Sequence, residues 1–418
     1  MRSCPMLILL VALPLFAVAQ SNSDINACED KGKTAQEQIA ACTNVITKAK
    51  ETGRFTPRSL AWMYSNRGVA REDMGDYDRA ISDFGEAILL DPGFTGALNN
   101  RGTAWRLKGD DTRAIADFSE AIRLDPRFAT GYYNRAIAWI SKGDDDRAIA
   151  DFEKVTQFKS ELVASAYVGR GTVWRKKGDD GRALADFDEA LRLDHSLPIA
   201  WVARGELWLY RGEPDRAIAE LDEAIRLNPT HGDLFRQRGF AWRDKREFDK
   251  ALVDLKTAER LNREPRDLRA LARTLFAVGQ FAESAIALSQ EIARRPTYPY
   301  AAIWLYLAQA RAGDEPAAKA QLEARRSSYG SGAWPTQVMD YYTGTINADA
   351  LFAAAQEAQS LKPASQRCEA NFYAGEWQLL RGDLTAARRL LEAARAECPR
   401  TFDELPAAIT DLARLDAR

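Results

Sequence analysis

The sequence predicts an all-α protein, a superhelical solenoid of antiparallel helix pairs, on three observations. Small residues recur at Gly68, Gly102, Ala136, Gly171, Gly205 and Gly239, in steps of 34, 34, 35, 34 and 34. Alanines follow each of them at a constant offset, at Ala80, Ala114, Ala148, Ala183, Ala217 and Ala251. Between the two lies a turn of glycine and an acid: Gly75-Asp76, Gly109-Asp110, Gly143-Asp144, Gly178-Asp179 and Gly212-Glu213. A fixed period in the thirties with two helices per unit marks a solenoid, in which each unit buries its apolar face against its neighbours.

The elements follow in order. Residues 1–19 read as a signal peptide: Arg2 is the basic end, Met6 to Val18 the apolar run, and Ala17-Val18-Ala19 the small residues before cleavage at Gln20. That run is short for a membrane span and Pro14 interrupts it, so no span is expected. Residues 20–60 form an N-terminal helical hairpin, with Ala35 to Lys50 as its second helix, and a linker, Arg54 to Leu60. Six regular units occupy 61–265, starting near Ala61, Thr95, Ala129, Ala164, Pro198 and Gly232. In each, glycine closes the first helix in a left-handed cap and the acid opens the second. The sixth unit has Arg246-Glu247 instead. Asp91-Pro92, Asp125-Pro126 and Asn228-Pro229 stop second helices, with His195 and Arg263 in the matching place elsewhere. Residues 266–326 are degenerate units with Gly279 and Gly313 at their turns, and 327–367 are irregular apart from a helix over Ala348 to Leu361. The last unit, in 368–418, recovers the pattern with Gly375, Gly382-Asp383 and Ala387, and a final helix, Phe402 to Leu415, caps it.

The 418 residues carry a formal charge of −2, which gives no basic excess for a nucleic-acid backbone. Cleavage would leave four of the five cysteines. Four thiols allow three pairings, and an exported chain favours disulfides. Cys28 and Cys42 sit in one hairpin, and Cys368 and Cys398 open and close one helical pair, so these two pairings are expected. Catalysis finds little support. His195 and His231 are the only histidines, both stand near turns, and no nucleophile, zinc or phosphate-loop motif is present. No cofactor or metal is expected.

Position seven of each unit is Arg67, Arg101, Arg135, Arg170, Arg204 or Arg238, and position twenty-three is Asp83, Asp117, Asp151, Asp186, Glu220 or Asp254. The constant spacing suggests a structural guanidinium–carboxylate rung in every unit, with an anion-binding stripe as the alternative.

The small residues at positions eight and twenty, the aromatic at eleven and the proline near thirty-two resemble the tetratricopeptide repeat. The resemblance implies that Trp105, Trp139, Trp174, Trp208 and Trp242 at position eleven pack between the helices, instead of forming a stacking platform for bases or sugars. It also implies a concave face lined by the first helices. The groove residues would then be Ser65, Asn66, Asn99, Asn100, Thr103, Tyr133 and Asn134, whose amides suit an extended peptide backbone. Ser65 and Val69 stand where a chaperone-tail carboxylate clamp has lysine and asparagine. Further along, Ile199, Val202 and Phe240 turn the groove apolar.

With its exported N-terminus, the chain is also similar to periplasmic repeat proteins of the NlpI type, though it lacks their lipobox cysteine. That similarity implies a homodimeric scaffold recruiting envelope enzymes. The reading is a non-catalytic periplasmic adaptor for protein or peptide partners in envelope biogenesis or complex assembly. The alternative is a solenoid-scaffolded enzyme or sugar-binding protein with a site between Ser327 and Pro363, where Trp334, Tyr341 and Tyr342 are the aromatic candidates.

Overall fold

A computed structural model describes residues 23–330, 334–357, 363–399 and 402–417. The signal-peptide segment 1–19 and the end of the helix expected to reach Leu361 lie outside the described residues. Among those described, the chain is helical throughout, without strands. It resolves into two compact units that divide at Ala200 and Trp201.

The first unit contains α1 (residues 23–29), α2 (Ala35–Thr52), α3 (Pro57–Asp73), α4 (Tyr77–Leu90), α5 (Thr95–Leu107), α6 (Asp111–Leu124), α7 (Ala129–Ser141), α8 (Asp145–Thr156), α9 (Val163–Lys176) and α10 (Asp180–Leu193). The division falls within α11 (Pro198–Arg211). The second unit continues with α12 (Pro214–Leu227), α13 (Gly232–Asp244), α14 (Phe248–Asn262), α15 (Pro265–Ala277), α16 (Phe281–Arg294), α17 (Pro299–Arg311) and α18 (Glu315–Arg326). Then come α19 (Thr336–Thr343), α20 (Ala348–Glu357), α21 (Pro363–Arg381), α22 (Leu384–Glu397) and α23 (Glu404–Asp416).

The turn chemistry works as the sequence suggests. Gly109 stands at φ 84°, and the Asp110 amide that follows donates to the Trp105 carbonyl at 2.9 Å. The Asp110 side chain then accepts from the Arg113 amide and opens α6. Asp76, Asp144 and Asp179 open α4, α8 and α10 in the same way. Arg246 adopts the glycine conformation at φ 61°, an arrangement that is disfavoured for a residue with a side chain. The expected linker is shorter than Arg54 to Leu60. Thr56 caps α3 and Pro57 is its first residue, the position where a missing amide hydrogen costs least.

Within each pair the helices meet at a glycine and a ring. A methyl group on Gly102 would lie 2.7 Å from the Phe118 ring, and one on Gly68 or Gly171 would lie 2.6 or 2.7 Å from Phe84 or Phe187. These three rings are fully buried. The third pair has Ala136 at this position, and its ring, Phe152, presses instead on Gly169 of the following pair.

The C-terminal part departs from a plain two-layer stack. Every residue from Ala301 to Ala308 on α17 is buried, which a helix with one covered stripe cannot achieve. The helix touches α15, α16, α18, α19 and α21. Trp304 stacks on Phe372 with centroids 5.4 Å apart, and Tyr306 stacks on Tyr342 at 4.7 Å. The final helix does more than cap the end, because α23 packs on α22 and also crosses to α15.

Both ends carry disulfides. Cys28–Cys42 ties α1 to α2 with Cα atoms 4.8 Å apart, and Cys368–Cys398 ties α21 to the end of α22 at 5.0 Å. Helix α21 begins at Pro363, ahead of the cysteine expected to open it. Such bonds suit an oxidising compartment.

The contact between Gly102 and Phe118 leaves no room for a methyl group. Gly102→Ala is therefore expected to lower the unfolding free energy by about 1–3 kcal/mol. Urea denaturation measures it, and an unchanged midpoint would contradict this packing account.

Candidate binding groove

In the first unit the first helices of neighbouring pairs, α3, α5, α7 and α9, approach one another more closely than the second helices do. The stack there curves with the first helices inside. Their inner faces carry the residues expected to form a groove. Asn134 Nδ2 donates to Asn99 Oδ1 at 2.9 Å, and Asn99 Nδ2 donates to Asn100 Oδ1 at 3.5 Å. Three amides from two successive pairs are thereby joined. The Thr103 hydroxyl donates back to the Asn99 carbonyl at 3.0 Å.

The expected groove residues are not equally accessible. Ser65 and Asn99 are only 5% and 8% exposed. Asn66, Asn100, Thr103, Tyr133 and Asn134 are half-buried. Tyr133 sets its ring edge-on to Phe152 with centroids 5.6 Å apart, and burial pushes its phenol up. At the N-terminal end the same helix face is apolar. Trp62 is 50% exposed and stacks on Phe94 at 5.5 Å. A cavity of about 440 Å³ adjoins it, lined by Ile25, Phe55 and Met63 among others.

Behind the groove each pair is cross-linked by an ion pair. Arg67, Arg101, Arg135 and Arg170 each grip their acid, Asp83, Asp117, Asp151 and Asp186, through two parallel bonds of 2.7–2.9 Å. In the second unit Arg204 reaches Glu220 at 2.8 Å, and Arg238 reaches Asp254 at 2.8 and 2.7 Å. A further guanidinium nitrogen reaches the preceding pair in three rungs, at Thr43, Ser119 and Asp222. The hydrogen bond to the partner acid holds the Arg101, Arg135 and Arg170 guanidiniums above their ordinary pKa. Since each arginine is committed to its acid, the geometry gives no free anion stripe along this ladder.

The tryptophans at position eleven pack between helices, and each lies under a cation that the sequence reading missed. Arg113 covers Trp105 at 4.1 Å, Arg147 covers Trp139 at 4.6 Å and Arg182 covers Trp174 at 3.6 Å. Arg216 and Lys250 do the same for Trp208 and Trp242. A cation at a fixed offset after each tryptophan was the available signal.

Residues 66–127 and 112–161, and again 198–231, match family models described as tetratricopeptide repeat. These segments carry the tetratricopeptide-repeat pattern. A tetratricopeptide repeat protein from Parabacteroides merdae has the same fold, with a TM-score of 0.51 at 18% identity over 62% of this chain and 99% of its own. YrrB, a repeat protein with an unusual peptide-binding site, is 24% identical over 43% of this chain and 92% of its own, with a TM-score of 0.33. PilW, a type IV pilus biogenesis factor, is 15% identical over 48% of this chain and 92% of its own, with a TM-score of 0.44. Such repeats are in general scaffolds for protein–protein interaction, and the matched segments fit that use.

Of the residues expected to turn the groove apolar, Ile199 is exposed and Val202 half-buried, whereas Phe240 stands in an ionic setting. Phe240 lies under the Arg243 guanidinium at 4.8 Å, and Arg236 bonds Asp233 and Asp267 at 2.8 Å each. The wall is ionic there, and α23 packs against its α15 part. Asp403, at the start of α23, accepts from Arg243 at 3.0 Å and from Arg273 at 3.2 Å. Arg311 divides its donors between Glu376 at 2.7 Å and Asp411 at 2.8 Å. Burial alone would raise the Asp403 carboxyl, but Arg273 and Arg243 hold it below the usual range.

Trp334, Tyr341 and Tyr342 do not form a surface platform. The two tyrosines are core residues, and the Trp334 Nε1 donates to Glu369 Oε2 at 2.6 Å. Tyr300 donates to the same oxygen at 2.8 Å. Burial, reinforced by the charge of Glu404, pushes the Glu369 carboxyl up to about 7.

Two predictions follow from these pairs. Asp117→Ala would strand a half-buried guanidinium and should cost about 2–4 kcal/mol of stability, read as a lower denaturation midpoint. For Glu369, the folded state holds its proton above the unfolded pKa. The stability it contributes is complete below about pH 4.5 and is lost as pH rises through about 7. Glu369→Gln, which mimics the protonated form, should raise the melting temperature near pH 8 and lose that advantage near pH 5. An advantage independent of pH would refute this assignment.

Proposed function

We propose that the chain is a non-catalytic periplasmic adaptor that binds peptide segments of partner proteins along the inner face of its first unit. The observation that carries the reading is the amide cluster of Asn134, Asn99 and Asn100. An amide both donates and accepts, as a peptide backbone does, so an extended chain laid across α5 and α7 can join the same network. Asn66, Asn100, Thr103, Tyr133 and Asn134 would meet it, with Ser65 and Asn99 beneath them. Trp62 offers an apolar seat at one end of that face.

On this reading residues 61–265 are the working array. The hairpin and linker of 20–60 precede it, and the degenerate units of 266–326, the irregular segment of 327–367 and the last unit of 368–418 follow. Export rests on the signal-peptide pattern of residues 1–19, and two disulfides support an oxidising destination. No helix among the described residues is long and apolar enough to cross a membrane. Envelope biogenesis or complex assembly is the role proposed, with homodimerisation and recruitment of envelope enzymes carried over from the NlpI-type resemblance.

The test is selection of binders from a displayed library of short random peptides. Binders are expected to lose about tenfold in affinity on a variant with Asn66, Asn100 and Asn134 all changed to Ala, at unchanged melting temperature. Equal affinity for both proteins would remove the amide cluster as the site.

A further inference from the structure

Helix α23 is held in the second unit as a ligand is held. Its ion pairs with the inner wall set acids on the helix against arginines on the wall, while Arg414 of the helix donates to the Ala277 carbonyl of α15. Asp403 meets Arg243 of α13 and Arg273 of α15, and Asp411 meets Arg311 of α17. The two acids stand a little over two helical turns apart, on one side of the helix. Ala408 and Leu412 between and beside them are buried.

The wall offers more than Asp403 takes up. Arg243 Nε, Arg273 Nε and Nη2, and Arg269 Nη2 are buried without a hydrogen-bond partner among the described residues. The Arg243 and Arg273 side chains are only 7% and 3% exposed. Leaving a buried charged donor unpaired is costly, so these arginines have capacity for further carboxylate oxygens. The helix also seats loosely at this end. A cavity of about 280 Å³ opens between Arg243, Arg246 and Phe248 on the wall side and Leu405, Pro406 and Ile409 of α23.

We propose that the inner wall of the second unit is a binding site for an acidic amphipathic helix of a partner protein, and that α23 is its resident, displaceable occupant. The chemistry recognised is a pair of carboxylates two turns apart on one helix face, with small and aliphatic residues alongside to meet the wall. The acid already beside the first, Glu404, is held by Tyr373 and stands 3.8 Å from Arg273, so a partner acid set nearer the wall would reach the unpaired nitrogens of Arg243, Arg269 and Arg273. This site is independent of the amide cluster of the first unit, and either can fail without the other.

The probe is a synthetic peptide with the sequence of residues 402–417, with a control peptide in which the counterparts of Asp403 and Asp411 are asparagine. Hydrogen exchange on the full wild-type chain should show α23 amides exchanging ahead of those in α15 and α21. Excess peptide should accelerate α23 selectively, and the control should not. The peptide should also bind the full-length Asp403→Asn chain about tenfold tighter than the wild type, because the resident helix is weakened there. Exchange of α23 only in step with α15 and α21, unmoved by the peptide, would overturn the proposal without reliance on any variant. Equal binding of the peptide and its control would overturn the carboxylate requirement and the proposal with it.

Discussion

Each regular pair depends on two adjacent residues of the first helix facing two adjacent residues of the second. In the second repeat these are Arg101-Gly102 and Asp117-Phe118. The glycine lets the ring lie against the backbone, which brings the helices close enough for the guanidinium to grip the carboxylate with two bonds. The ion pair in turn resists a slip of one helix along the other, because a shift of one residue would strand both charges. A largely buried ion pair is weak evidence for net stability, since desolvation offsets much of the attraction. Its contribution here is register, and the ring contact supplies the apolar burial.

That constraint also shapes the groove. In the third repeat Ala136 replaces the glycine, and Phe152 turns its ring onto Gly169. Gly169 occupies position six, which is asparagine in the three preceding repeats. A side chain there would strike the displaced ring, with a methyl group only 2.5 Å from it. The run of position-six amides therefore ends where the core demands space, and one core substitution sets the boundary of a surface feature. Tyr133 belongs to the same arrangement, with its ring edge against Phe152.

The helix pairs and their turns were legible because they depend on neighbours in sequence: a left-handed glycine, an acid at a helix start, a small residue at a close approach. The groove was legible as a set of positions and less so as a surface. Position five was expected to present side chains, yet Ser65 and Asn99 are buried behind their neighbours. Depth depends on how one pair leans on the next, which no single repeat encodes. The C-terminal half was harder still. Asp403 looks like any acid before a helix, and nothing local announces its bonds to Arg243 and Arg273, more than a hundred residues away. Ile199, Val202 and Phe240 suggested an apolar groove because hydrophobicity was read without the guanidinium that covers Phe240.

The occupied wall of the second unit carries an energetic consequence for any partner. An intramolecular helix competes at an effective concentration on the order of mM. A free ligand that merely equalled α23 in contacts would displace it only when supplied in excess of that concentration. A ligand that also satisfied the buried nitrogens of Arg243, Arg269 and Arg273 would gain charge-assisted bonds that α23 does not make. Self-occupancy then acts as a threshold. It keeps the arginines from being wholly unpaired in the free protein, and below that concentration it admits only a helix whose acids match the wall better than the chain's own.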